Sequence, residues 1–469
     1  MSQVNLKLYN TRSKTIEKFD HDIKNPVKIY TCGPTVYNRA HIGNLKTFMW
    51  SDFIVCYLQA IGYNTNHIMN ITDIDDKIIN SLEKQDLETL IKFTTKYTDL
   101  FLEDIKALGI RSYTSENIHK VSDNIEPIVN MIQKLLDLGY AYRVSDGSIY
   151  FDVSKVDKYP FPDFQKTLLA RDVDYVSERK IIKSEDVKSK NDFVLWKSKK
   201  EGDIYWDTSI GKGVVSWNSE CSGIFLHHLQ DVHIAFGGCD LTFPHHTNSI
   251  ILAEHVNPDG VYGKYSLHSG FLNFSGDKMS KSLGNILKLT DVKHNYYLFR
   301  LYVLSKSYRH NFDYSELELE KMKTNFINFH MLYNKLKLGF VKNNVNPNKK
   351  YHVKNTYIYD ELLEIISNDF DTKNALIKLF AYVDKLLNVY MDSETSRNVL
   401  NELDNVNRLF NILDKNVLDI SDETLNFIVE REELRKLKQF ERSDLMRTQL
   451  LEKYFFEDEQ TGYLIINKI

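Results

Sequence analysis

VKIYTCGPTVYNRAHIGNLKTFMWSDFIVCYLQAIGYNTNHIMNIT, residues 27–72, is the stretch that decides the fold. Its first seven residues are β-rich and run into Gly-Pro, the pattern of a strand entering a loop. After His41-Ile-Gly-Asn44 the apolar positions fall at helical spacing and Gly62 closes the run, which predicts a helix over Ile42–Ala60. NTNHIMNIT returns to a strand pattern. Strand, loop, helix, strand is the βαβ unit of a parallel nucleotide-binding sheet, so the fold class expected here is α/β.

Helical patterns continue to about residue 138. Residues 141–200 mix short strands with charged loops such as KSEDVKSK and read as an insertion. From 217 to 284 strand-like and helical pieces alternate again, rich in Gly and His, as a second half of the sheet would. Helical periodicity then dominates to 337, and GFVKNNVNPNKK (339–350) is the clearest linker pattern. The expected organisation is a first sheet half at 1–115, a connective insertion at 116–205, and a second sheet half at 206–287. A helical region at 288–338, the linker, a helical bundle at 351–420 and a small terminal unit at 421–469 follow.

Composition restricts the function. The chain has 469 residues, with 60 basic against 64 acidic side chains and a net charge of −4, which excludes a wholly basic coat for nucleic acid. At 42% apolar and 26% charged it has the usage of a globular protein rather than a disordered one. Four cysteines, at 32, 56, 221 and 239, are too few for a disulfide scaffold. The first residues carry no apolar signal core and no uninterrupted apolar run reaches the ~18 residues of a membrane span, so a cytoplasmic protein with free thiols is expected.

Two short motifs carry chemistry. His41-Ile-Gly-Asn44 opens a helix, whose N-terminal N–H groups and dipole suit phosphate. Gly43 permits close backbone approach there. Alone, the string reads first as a polar turn with a capping Asn, the commoner use of such residues. Lys278-Met-Ser-Lys-Ser282 places two lysines in a short loop between Gly276 and Gly284, suited to charge developing on a leaving pyrophosphate.

Together HIGN and KMSKS resemble the class I aminoacyl-tRNA synthetases, in the right order and with room for the insertion between them. Further strings resemble the cysteinyl members: YTCGPTVY (30–37), NITDIDDK (70–77), DFVLWK (192–197), WNSECS (217–222), GGCDL (237–241), FPHH (243–246), and the tail from RKLK (435–438) to FED (456–458). The resemblance covers nearly the whole chain. It implies an α/β Rossmann-type catalytic domain that activates L-cysteine with ATP and transfers it to the 3′-terminal ribose of tRNA(Cys), with Mg²⁺ accompanying ATP.

The resemblance assigns His41, Gly43, Asn44, Lys278 and Lys281 to ATP, with His41, Asn44 and the two lysines catalytic, and Thr72 and Trp217 to the substrate cysteine. It implies a Zn²⁺ site on Cys32, Cys221 and His245, since a metal–thiolate bond separates cysteine from serine where packing does not. The family's fourth ligand, a Glu, stands here as Ser249, and Ala235 replaces the histidine before the glycine run. The fourth position is left open between Ser249, Cys239, and water or the substrate sulfur, with loss of the zinc and selection of cysteine by shape and polar contacts as the other outcome; a lone Cys is otherwise a small apolar residue.

Asp240 reads as a ligand-facing carboxylate or a helix cap, the Asp73, Asp75, Asp76 group as helix-start caps, Cys56 as core, and His227, His228, His233 and His255 as structural or surface. On charge alone the six lysines of 335–354 and the seven basic and five acidic residues of 431–453 read as a solvated linker and an ordinary charged helix, whereas the resemblance of the tail implies that 421–469 is an anticodon-binding unit for tRNA. Tyr454, Phe455, Phe456 and Tyr463 suit either base stacking or a core. A monomer is expected. Competing readings are the paralogue joining cysteine to an amino sugar, against which the terminal unit argues, and a non-catalytic nucleotide- or tRNA-binding protein.

Overall fold

The computed structural model describes residues 4–161, 186–279, 284–337, 357–387, 389, 391–459 and 462–468. After a hairpin of β1 (Lys7–Asn10) and β2 (Thr15–Lys18), β3 (Val27–Thr31), α1 (Ile42–Ala60) and β4 (Thr65–Ile71) form the expected βαβ unit, with β3 and β4 parallel. Helix α1 is buried almost all round, as its long apolar run demands. Two charged side chains are buried with it. Lys46 Nζ donates to the carbonyls of Gly270 (2.6 Å) and Tyr308 (3.1 Å), while Asp52 accepts the backbone N–H groups of Arg111 and Ser112. Such partners are what makes burial of a charged group tolerable.

The chain continues through α2 (Asp76–Ile79), α3 (Leu87–Ala107), β5 (Ile118–Lys120) and α4 (Ile125–Asp137). Strand β5 pairs parallel with β4, inside a stretch whose sequence reads as helical; three residues are too few to show a period of two. The insertion is a five-stranded sheet of β6 (Ala141–Arg143), β7 (Ile149–Phe151), β8 (Phe193–Ser198), β9 (Trp206–Thr208) and β10 (Gly211–Val215), antiparallel and ordered β6-β7-β8-β10-β9. This sheet therefore begins after residue 116 and extends beyond 205.

Helix α5 (Trp217–His228), β11 (Val232–Gly238), α6 (Thr247–Val256) and β12 (Tyr262–Ser269) complete a parallel sheet of order β12-β11-β3-β4-β5. The chain builds outward from β3 on one side, then returns to add β11 on the other. In open α/β sheets a ligand crevice forms at the carboxyl ends of strands flanking such a reversal. Cys32 directly follows β3 and Cys239 directly follows β11. A small sheet of β13 (Leu272–Phe274), β14 (Asp277–Lys278) and β15 (Phe312–Asp313) carries the start of KMSKS.

The chain divides into two compact units, one of Leu6–Asp291 with Tyr308–Asp313, the other built on Val292–Ser307 and Tyr314–Ile469. The second unit contains α7 (Tyr296–Leu304), α8 (Glu316–Lys337), α9 (Tyr359–Ile366), α10 (Thr372–Leu387), α11 (Ser393–Phe410), α12 (Lys415–Leu418), α13 (Asp422–Lys436) and α14 (Phe440–Lys453), then the hairpin of β16 (Tyr454–Glu459) and β17 (Gly462–Asn467). The hairpin packs with the helices: Asn334 on α8 donates to the carbonyl of Ile465 (2.8 Å). Helical regions expected to be separate thus share one unit, and the expected linker lies outside the described residues. Phe456 is core. No described helix is long and apolar enough to cross a membrane.

His330 in α8 is fully buried, and its environment selects one neutral tautomer. Nδ1–H donates to the carbonyl of Phe326 (2.8 Å) and Nε2 accepts Asp414 N–H (2.9 Å). Burial lowers its pKa to about 4. The unfolded chain therefore takes up this proton first, so the stabilisation is complete above about pH 6.5 and is lost as pH falls toward 4. Acidifying from pH 7 to 5 should cost on the order of 2 kcal/mol at this group, read as a fall in Tm. His330→Gln, which takes up no proton, should fall less steeply across the same range.

Candidate active site

The end of β3 and the first turns of α5 bring two distant thiols together. Cys32 and Cys221 are buried with their sulfurs 3.6 Å apart, and Cys221 Sγ lies 3.0 Å from Nε2 of buried His245. Gly33 lets β3 pass this point: a Cβ there would sit 1.6 Å from the carbonyl oxygen of Asn70. Trp217, at the start of α5, stacks on His245 with ring centroids 4.3 Å apart and planes 8° apart. Burial pushes the Cys32 thiol well above its ordinary pKa, reinforced by Cys221. Burial also resists ionisation of Cys221, but the hydrogen bond from Cys32 and the charge of His245 outweigh it and hold Cys221 well below a free thiol.

Cys32, Cys221 and His245 offer donor atoms all within 4.8 Å of one another, the one group of metal-ligand character found among the described residues. Two thiols and an imidazole are the donors zinc takes. Ser249 lies beside them. Its buried hydroxyl has no hydrogen-bond partner and lines a cavity of about 20 Å³ together with Cys32, Cys221 and His246. Cys239 is not brought into this group. Its charged neighbours are Asp240, Lys278 and Lys46, and burial raises its pKa. Of the two residues considered for the fourth position, the structure therefore puts Ser249 at the cluster.

Thr72 follows β4 and is buried. Its backbone is tied to the loop after Cys32 by Thr72 N–H to Pro34 O (3.0 Å) and Val36 N–H to Thr72 O (3.1 Å). Its hydroxyl accepts from Asn70 and donates to the buried carboxylate of Glu220, each at 3.0 Å. Asn70 Oδ1 accepts from the Tyr30 hydroxyl (2.9 Å) and Gly33 N–H (2.8 Å). A polar wall thereby joins the thiols to Thr72.

The phosphate-binding candidates form a second group. His41 caps α1 reciprocally with Asn44: His41 N–H donates to Asn44 Oδ1 (3.3 Å), and Asn44 N–H donates to His41 Nδ1 (3.2 Å). Burial, then Lys278, lower the His41 pKa to about 4. With Nδ1 accepting, the neutral ring carries its proton on Nε2, a donor suited to phosphate oxygen. Gly43 serves this cap, since a Cβ would lie 2.9 Å from His41 Nδ1 and 3.4 Å from Met279 Cε. Met279 thereby brings the start of KMSKS against HIGN, and Ile42 N–H donates to Leu287 O (2.9 Å) on the far side of that loop. Lys278 Nζ lies 3.0 Å from Asp240 Oδ2. Lys281 lies outside the described residues.

Asp75 caps α2, Asp73 accepts from Ser122 and Asp76 pairs with Lys197, which accounts for that acidic group without a metal. Cys56 is half-buried at the margin of α1 rather than core. Sequence reading passed over Glu220, His246 and Lys46. Glu220 adjoins Cys221 and His246 adjoins His245, and adjacency to ligand candidates was their one available signal. His246 Nε2 lies 3.0 Å from Cys32 Sγ.

A parallel sheet with HIGN and KMSKS residues against one helix N-terminus, beside a thiol–imidazole cluster, defines a class I tRNA synthetase catalytic unit. Residues 18–324 match the family model described as tRNA synthetases class I (C) catalytic domain. A cysteine–tRNA ligase of Anoxybacillus flavithermus is 35% identical, over 98% of this chain and 99% of its own. One of Methanococcus vannielii is 33% identical over 99% of each. Among solved structures, Mycobacterium tuberculosis methionyl-tRNA synthetase with methionyl-adenylate shares the fold at 14% identity and a TM-score of 0.54, covering 83% of this chain and 90% of that one. The chain belongs to the cysteine–tRNA ligase family.

The reciprocal cap gives a prediction. Asn44→Ala removes the acceptor for His41 N–H and should destabilise by about 1 kcal/mol, seen as a lower Tm. Asn44→Asp keeps the acceptor and should hold Tm, while its charge at the helix N-terminus weakens ATP binding in calorimetry.

Proposed function

We propose that the chain activates L-cysteine with ATP, releasing pyrophosphate, and transfers the cysteinyl group to the 3′-terminal ribose of tRNA(Cys) in the cytoplasm. The observation that carries this reading is the buried Cys32–Cys221–His245 cluster at the carboxyl edge of the parallel sheet. The donor set suits zinc, held by those three residues with no carboxylate at Ser249. When bound, the ion supplies a soft Lewis-acidic seat for the substrate sulfur, which serine's hydroxyl matches poorly. Trp217 fixes the His245 ring, and Thr72, held by Asn70 and Glu220, lines the approach to the thiols.

Activation needs positioning and charge stabilisation. A carboxylate oxygen of cysteine attacks the α-phosphate in line, the bond to the bridging oxygen breaks, and pyrophosphate leaves. Neutral His41 donates its Nε2–H to phosphate oxygen from the α1 side. Lys278, paired with Asp240 in this structure, exchanges that partner for phosphate, and Lys281 adds the second cation. Mg²⁺ accompanies the nucleotide. The basic residues of the tail support a role for the second unit in holding the anticodon end of the tRNA.

Purified protein should hold one zinc per chain, and chelation should weaken cysteine binding. Cys221→Ser should lose the zinc and most cysteine-dependent ATP–pyrophosphate exchange; full exchange by metal-free protein would overturn the cysteine seat. Lys281→Ala should slow adenylation by roughly 100-fold with little change in cysteine affinity. A wild-type exchange rate in that variant removes Lys281 from the ATP site. Charging of a tRNA(Cys) transcript with cysteine tests the whole reading, and exchange without charging contradicts it.

A further inference from the structure

A continuous hydrogen-bonded chain that does not include Cys221 starts at Cys32. Cys32 Sγ is 3.0 Å from His246 Nε2, His246 Nδ1 is 2.8 Å from His268 Nε2, and His268 Nδ1 is 3.0 Å from Thr11 Oγ1. Its members come from the end of β3, the approach to α6, strand β12 and the turn of the β1–β2 hairpin. Both rings are buried. Thr11 is pinned to the same strand as His268 by Thr11 N–H to Ser266 O (2.9 Å). Gly237 makes room for the first ring, since a Cβ there would lie 2.8 Å from His246 Cε1 and 3.0 Å from its Nε2. The edge of Phe161 meets the second, with centroids 5.9 Å apart.

We propose that His246 is a positioning residue for Cys32 as a metal-ligating thiolate, donating its Nε2–H to the sulfur, with His268 and Thr11 fixing the ring in the tautomer that can do so. The inference rests on the zinc reading above. A thiolate only accepts. With Cys32 as an acceptor, His246 must carry its proton on Nε2, leaving Nδ1 to accept from His268 Nε2–H. His268 Nδ1 then accepts from the Thr11 hydroxyl. Every link donates toward the sulfur, every ring nitrogen has a partner, and both rings are neutral. Burial, aided by neighbouring histidines at His246, favours that neutral state and lowers His268 to about 3. Hydrogen-bond partners of metal ligands set the orientation and electron density of those ligands, and their loss typically weakens metal binding by about 10–100-fold. The site has three protein donors, so the aim of each matters more than in a closed set of four.

The test uses the full chain, stripped of metal and reloaded. Zinc affinity is measured by competition with a chromophoric chelator, and the thiolate-to-metal charge-transfer band is recorded on the Co²⁺ form. His246→Leu should bind zinc about tenfold or more weakly and shift the band. His246→Gln, whose amide nitrogen reaches the same position, should stay within about threefold of wild type. Thr11→Val, three links from the sulfur, should move both readouts in the same direction by less. A folded His246→Leu with wild-type Tm, affinity and spectrum overturns the proposal. If His246→Leu does not fold, Thr11→Val decides, a shift supporting the proposal and wild-type values overturning it. A wild-type chain that binds no metal overturns the zinc reading as well, whereas metal binding indifferent to these variants overturns this inference alone.

Discussion

Two sulfur atoms 3.6 Å apart, on residues separated by 189 positions, are the constraint on which the catalytic unit depends. Two thiolates cannot be buried side by side without a compensating cation. The opposite pKa shifts of Cys32 and Cys221 express this conflict: one sulfur keeps its proton so that the other can lose it. A divalent ion bound there would resolve it, and its binding free energy would contribute to holding the sheet halves together. The sheet reversal at β3, the glycine at position 33 and the entry of α5 all converge on this one contact.

The same sheet edge hosts a second chemistry of opposite sign. There the N-terminus of α1, neutral His41 and Lys278 lie together, the group proposed to take phosphate. His41 is held uncharged because its ring is buried and lies near Lys278, and it serves as the cap of α1. Lys278 in turn has Asp240 as its partner. Donors for polyphosphate and donors for a soft metal are thus kept on separate side chains. Cys239 shows the division most plainly. It neighbours the thiol cluster in sequence but belongs electrostatically to the lysine side.

Much of this was legible in the sequence. Helix α1 could be placed at both ends, because a long apolar run between a capping segment and a glycine leaves little choice. Strands β3 and β4 followed from their apolar, β-branched pattern. Strand β5 was not legible, since a three-residue strand between helices has no period to detect. The far edge of the insertion was blurred because its last two strands, β9 and β10, are short and carry Trp, Asp and Gly rather than a clean alternation. Within the site, the thiol and imidazole candidates were found by motif. The role of His246 depends on a residue 22 positions away and on a hairpin turn at the other end of the chain, which no local pattern records. Lys46 was hidden by its place in an apolar helix.

X-ray absorption at the zinc edge, on metal-loaded protein with and without L-cysteine, tests the central claim most directly. The account predicts two sulfur neighbours at about 2.3 Å and at least one nitrogen or oxygen at about 2.0–2.1 Å, rising to three sulfurs when cysteine binds and unchanged by serine. A metal without sulfur neighbours, or a sulfur count indifferent to cysteine, would contradict it.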